Sequence, residues 1–176
     1  MRTLIVVLML MSAALAAAAE PVGYAVGPTA CGLVVTGKEG VDAETLTGAG
    51  LSVAYAIAEE VSLRAVGSRL THQDLDDITV TGIDGHLQLG SHFLDDGWRR
   101  WVSFGFFTDI WTSPAASFTV QGLSAGLGAG YAWSKVQIDV QASVRSPEST
   151  HSRLQELGMA AERTPFLGQV TLSWRI

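Results

Sequence analysis

Beyond its first 19 residues the chain has no long apolar run. It therefore offers no further transmembrane helix, which would need about 20 consecutive apolar residues. A stripe of apolar residues at helical period is missing as well, which argues against a helical bundle. Cysteine occurs once, at Cys31, so no intramolecular disulfide can form. Cys31 also lies too far past the apolar start to be a lipid-bearing N-terminal cysteine, and a small buried residue is its expected role. Positive charge is scarce: 11 Lys and Arg stand against 17 Asp and Glu, for a formal net charge of −6. Nucleic-acid binding, which needs a basic footprint, is excluded on that balance. The histidines are scattered and the cysteine is single, so no metal-ligand spacing arises and no cofactor is expected.

The start of the chain is informative. Arg2 precedes an apolar run from Leu4 to Met11, then an alanine-rich stretch ends at Ala19 before Glu20 and Pro21. A charged start, an apolar middle and small residues at alternate positions, here Ala17 and Ala19, are what signal peptidase reads. Residues 1–19 are thus expected to be a cleaved export signal and residues 20–176 one mature domain. The rival, an uncleaved anchor, is disfavoured by the shortness of the apolar part.

In the mature part, apolar and small or polar residues alternate with period two, the mark of a strand with unlike faces. Leu51, Val53, Tyr55 and Ile57 share one face, against Ser52, Ala54, Ala56 and Ala58. Ile83, Leu87, Leu89 and Phe93 oppose Asp84, His86, Gln88 and His92. Val136, Ile138, Val140 and Val144 oppose Gln137, Asp139, Gln141 and Arg145. Phe166, Val170, Leu172, Trp174 and Ile176 oppose Gln169, Thr171, Ser173 and Arg175. A soluble sandwich turns the apolar face inward, whereas a membrane barrel turns it toward lipid, and periodicity alone does not choose.

Three features favour the barrel. Export removes the chain from the cytoplasm. Strands read at 22–35, 47–57, 61–71, 78–91, 98–111, 117–132, 135–146 and 165–176 are joined alternately by short turns and longer links, as in bacterial barrels with both ends in the periplasm. With alternating strand directions, Tyr55, Phe93, Trp98, Trp101, Tyr131, Trp133 and Trp174 fall near the periplasmic rim. Trp111, Phe118 and Phe166 fall near the outer rim, giving two aromatic belts. Trp101 and Trp111, however, take the lumen parity. Gly126, Gly128 and Gly130 share one face of the sixth strand, where a narrow barrel has little interior room. A phosphate-binding glycine loop would instead need a following helix, and none is suggested.

The stretch Tyr55–Arg64, the glycine repeat Gly122–Tyr131 and the terminal Gly168–Ile176 resemble, in that order, the small outer-membrane β-barrel proteins, including the OmpX-type proteins. The resemblance spans essentially the whole mature chain. It implies an all-β fold, an antiparallel up-and-down transmembrane β-barrel of about eight strands, in a bacterial outer membrane. It also implies that Gly168, Val170, Leu172, Trp174 and Ile176 form the signal read by the barrel-assembly machinery. Such signals usually end on an aromatic residue; here Ile176 is last and Trp174 precedes it.

The expected lumen network is Arg64, Asp84, His86, Gln88, His92, Asp139, Gln141, Arg145 and Arg175. Buried groups of both charge signs must satisfy one another. The favoured reading is a structural network that plugs the barrel, with a narrow proton or ion path as the sharper alternative. An enzyme acting on lipid A or phospholipid is the main functional rival. Deacylases of this size place His and Ser two residues apart, yet His72, His86, His92 and His151 all lack a serine at plus two. Calcium at Asp74, Asp76 and Asp77 is conceivable, without the loop spacing that would support it. The loop from Pro147 to Pro165, with Leu154, Leu157, Met159 and Ala160 among charged residues, is the candidate contact surface for an extracellular ligand. The chain is expected to be a monomer without catalytic residues that contacts outer-membrane lipid and lipopolysaccharide and has a structural, adhesion or binding role. A soluble periplasmic β protein is the second alternative.

Overall fold

The computed structural model describes residues 23–36, 43–75, 77–146 and 164–176. The expected export signal, Asp76 and nearly all of the Pro147–Pro165 loop lie outside these residues. The described chain forms strands β1 (Gly23–Thr36), β2 (Glu44–Ala58), β3 (Val61–His72), β4 (Thr79–Ser91), β5 (Gly97–Thr112), β6 (Ser117–Ala132), β7 (Val136–Arg145) and β8 (Thr164–Arg175). Each pairs antiparallel with its neighbour, and β8 returns to β1 to close the barrel. Closure removes the unpaired strand edges that an open sheet would expose.

Register follows from alternation, since a slip of one residue would exchange the two faces of a strand. The outward face carries Leu51, Val53, Ile83, Leu89, Phe104, Leu123, Leu127, Val140, Val170 and Leu172, all largely exposed. The inward face of the same strands carries Ser52, Arg64, Asp84, His86, Gln88, Asp139, Gln141 and Thr171, all buried. A greasy exterior around a polar interior inverts the soluble arrangement and suits a wall with lipid outside.

That sense reverses at one end. Toward the end bearing the β1–β2 and β3–β4 connections, β2 to β4 turn Thr45, Thr47, Arg69, Thr71, Thr79 and Thr81 outward. Inside them pack Leu33, Val35, Leu46, Leu70, Val80 and Leu167, an apolar cluster joined by Trp111. Across β2 to β4 the wall at this level has the polarity of a soluble barrel, while Ile110 of β5 and Phe166 of β8 keep an apolar outward face. The inversion also explains why β2 begins at Glu44 rather than at the expected 47: Leu46 continues the ladder with its apolar side chain turned inward.

The opposite end carries an aromatic rim. Tyr24 stacks on Tyr55 at 4.8 Å between ring centroids, Trp98 meets Tyr131 edge-on at 5.4 Å, and Tyr131 lies 4.7 Å from Trp133. Trp174 is exposed nearby. Two residues expected in this rim belong elsewhere: Trp101 is buried in the lumen, and Phe93 is turned inward against it with centroids 6.0 Å apart. The cause of the second is local. β4 ends at Ser91, and His92 takes a left-handed backbone (φ 61°), which breaks the alternation. The Phe93 amide then donates to the Glu59 carbonyl at 3.0 Å, drawing the turn beneath the barrel. The expected second belt does not form either. Phe166 faces outward, but Trp111 and Phe118 stack on each other and line the mouth from inside.

Candidate functional site

The lumen is where the charged side chains meet. Its lower tier, near the aromatic rim, centres on Asp139 of β7. Arg64 from β3 donates to its Oδ2, and Arg99 from β5 donates to its Oδ1 through Nε at 2.9 Å and Nη2 at 2.5 Å. Arg99 also donates from Nη1 to Gln137 at 2.8 Å. Both arginine side chains are nearly fully buried, and one carboxylate neutralises only part of their charge. Trp101 lies beside both, with each guanidinium carbon 5.9 Å from its ring centroid, a distance at which the π face offers further stabilisation. The indole Nε1 donates to Gln141 at 3.1 Å, as does the Gln88 amide at 3.0 Å.

Room for this tier comes from β6. A Cβ placed on Gly128 would strike Cε2 and Cζ2 of the Trp101 indole, and one on Gly130 would strike Asp139 Oδ1. The glycine repeat thus serves close approach by the side chains of β5 and β7.

The upper tier centres on Arg145 of β7. Its Nη2 donates to Asp84 at 2.6 Å and its Nη1 to Asp109 at 2.5 Å, while its guanidinium lies 4.5 Å from the Phe107 ring centroid. Between the tiers sits His86, buried, with Nε2 4.0 Å from Asp84 Oδ1 and no protein partner within hydrogen-bonding distance on either ring nitrogen. Ser52, Ser103, Ser124, Ser173 and Gln169 also leave buried polar atoms without protein partners. Buried polar groups that lack a partner are costly, so the level around His86 is less fully satisfied than the two tiers that flank it. Braces from β3 and β5 to β7, and from β7 back to β4 and β5, cross this space.

Of the expected network, Arg64, Asp84, His86, Gln88, Asp139, Gln141 and Arg145 converge here. Two do not. His92 is exposed in the β4–β5 turn with Nδ1 3.6 Å from Asp95 Oδ2, displaced by its own left-handed backbone, which also turns Phe93 inward. Arg175 sits at the lower mouth, where it donates to Asp96 at 2.7 Å and to the Leu94 carbonyl, tying the turn across the opening. Arg99, Asp109 and Gln137 belong to the network although the sequence reading leaves them out of it. The signal was parity: Arg99 and Asp109 alternate in step with Trp101 and Trp111, which that reading places on the lumen side.

No arrangement for acyl transfer is built around the described histidines. His72 contacts Glu44 at 2.7 Å through Nε2 and accepts from the Asp74 and Leu75 amides through Nδ1. His86 makes no hydroxyl contact.

No family model matches the chain, and neither does any curated protein. Solved structures match its fold at low identity. The N-terminal β-barrel domain of Pseudomonas aeruginosa OprF is 13% identical, with 89% of this chain and 98% of that chain covered and a TM-score of 0.54. The attachment invasion locus protein Ail of Yersinia pestis is 10% identical over 89% and 100%, with a TM-score of 0.56. Neisserial surface protein A is 12% identical over 87% and 96%, with a TM-score of 0.61. The shared feature is the fold, a closed eight-stranded antiparallel barrel of the outer-membrane type.

Proposed function

We propose that the chain is an exported, integral outer-membrane barrel that does not conduct, with a structural and binding role exercised through its outward mouth. The observation that carries this is the division of each strand: an apolar face outside, and inside it two arginine–aspartate tiers that brace the wall across the lumen. Charges cross-linked in this way stiffen a narrow barrel and block diffusion through it. The aromatic rim then lies at the periplasmic interface, where amphipathic rings prefer to sit. The outward threonines and Arg69 lie at the opposite headgroup level, against lipopolysaccharide.

The rest of the reading follows from that placement. Residues 1–19 direct export. The last strand, with outward Val170, Leu172, Trp174 and Ile176 and with Gly168 between the outward-facing Phe166 and Val170, is what the barrel-assembly machinery recognises. The link from Pro147 to Pro165 joins β7 to β8 at the outer end, where an extracellular ligand would meet it.

The test is fractionation followed by gel migration with and without boiling. Membrane-associated protein that resists alkaline extraction and runs as a compact form until boiled is the expected result. Protein released by carbonate, with one migration in both samples, would refute the membrane reading.

A further inference from the structure

Above the upper tier, where β2 to β4 have the polarity of a soluble barrel, the interior is not filled. An open cavity of about 340 Å³ lies there, walled by Leu33, Val35, Phe107, Trp111, Phe118 and Val120. A soluble barrel of this width would fill that space with core side chains. An apolar space with a few convergent polar groups is instead the usual form of a small-molecule site. The geometry points to a site at the outward mouth for a small aromatic amphiphile whose polar group is neutral or cationic.

The wall sets the aromatic preference. Trp111 and Phe118 lie nearly parallel, 6° apart with centroids separated by 6.1 Å, and both line the cavity. An aromatic lining takes another ring by stacking or edge contact and attracts a cation by its quadrupole.

The floor and rim set the charge preference. The floor is Arg145 with Asp109, and that single guanidinium already serves Asp84 as well. Glu44 lies on the rim against His72. Among the described residues at this mouth, Asp84, Asp109 and Glu44 stand beside Arg145 and His72. An incoming carboxylate would be repelled, whereas an ammonium or hydroxyl would find acceptors. The cavity exists whether or not the barrel is in a membrane; only its exposure to the cell exterior rests on the function proposed above.

The test uses methyl-labelled full-length mature protein in lipid nanodiscs at neutral pH, titrated with naphthylmethylamine, naphthalenemethanol and naphthoate. The methyl signals of Leu33, Val35 and Val120 are expected to shift saturably with the amine and the alcohol. Naphthoate is expected to bind at least about ten-fold more weakly, a difference of about 1.4 kcal/mol. Ala116→Trp and, independently, Ala115→Trp put a bulky ring into the lining and should remove the shifts while the compact, boiling-sensitive form persists. Glu44→Gln should narrow the gap between amine and naphthoate.

Shifts that never saturate in protein that still shows that form would overturn the site alone, and are the result if lipid or the chain itself fills the space. Naphthoate binding as well as the amine would overturn the assigned charge preference. Protein without the boiling-sensitive form would instead count against the membrane reading, and the titration would still be read on its own terms.

Discussion

Two guanidinium groups, those of Arg64 and Arg99, converge on the single carboxylate of Asp139 in the interior of the barrel. Removing that carboxylate leaves two buried cations without their counterion, and breaking a buried pair by deleting one partner costs about 3–5 kcal/mol. Asp109 differs, because Arg145 keeps Asp84 when Asp109 is lost. Asp139→Ala is therefore expected to destabilise the folded barrel by about 3 kcal/mol or more. Asp109→Ala should cost clearly less. Urea unfolding of each variant in lipid vesicles, followed by tryptophan fluorescence, gives the comparison. Equal losses would mean that the two tiers are not built as described. His92 supplies the contrast at this scale, since an exposed turn residue outside the network should tolerate alanine with little change in the same assay.

At the scale of the element, β6 is shaped by what its neighbours insert. The Cβ of alanine at position 128 would overlap the Trp101 indole, which cannot retreat because Gln141 and two arginines hold it. Gly128→Ala should lower the temperature at which the compact form converts on heating. Trp101→Leu, which vacates the space, should partly restore it, a coupling measurable as a double-mutant cycle. A penalty unchanged by Trp101→Leu would assign the glycine to sheet curvature instead.

Elements were also where the sequence was most and least readable. Where both faces of a strand differ strongly, as in β7 with Ile138 and Val140 against Asp139 and Gln141, alternation alone places every side chain. The same rule places Arg99 and Asp109 in the lumen, in step with Trp101 and Trp111 along β5. It fails at His92 and Phe93, because one left-handed residue changes the parity and nothing in the local alternation announces it. It is weak at the outer ends of β2 to β4, where threonines replace the greasy outward face and Leu46 points inward. The cavity was not legible at all, since it depends on what seven strands leave unfilled between them.

For the whole molecule, the proposed function requires a wall that is greasy outside and a lumen that is polar yet closed. In the proposed function, the crossing ion pairs of both tiers close the lumen to a hydrated ion. Purified protein reconstituted in planar bilayers is expected to show no sustained conductance steps. Simultaneous replacement of Arg64 and Arg99 by alanine, where it folds, should introduce leak by removing the lower braces. Steady conductance from the wild-type protein would contradict the closed lumen while leaving the fold intact.

Which face meets lipid is the central claim, and Trp98 and Trp101 report on it from one strand. Trp98 is exposed on the outward face, and Trp101, three residues along β5, is buried in the lumen. The decisive measurement is fluorescence quenching by brominated lipids in vesicles containing variants that retain one of these tryptophans, the other four being replaced by phenylalanine. Strong quenching of Trp98 with little quenching of Trp101 is the predicted result. Equal quenching of the two, or a Trp98 that bromine does not reach while soluble quenchers do, would contradict a barrel that turns its apolar face to the membrane.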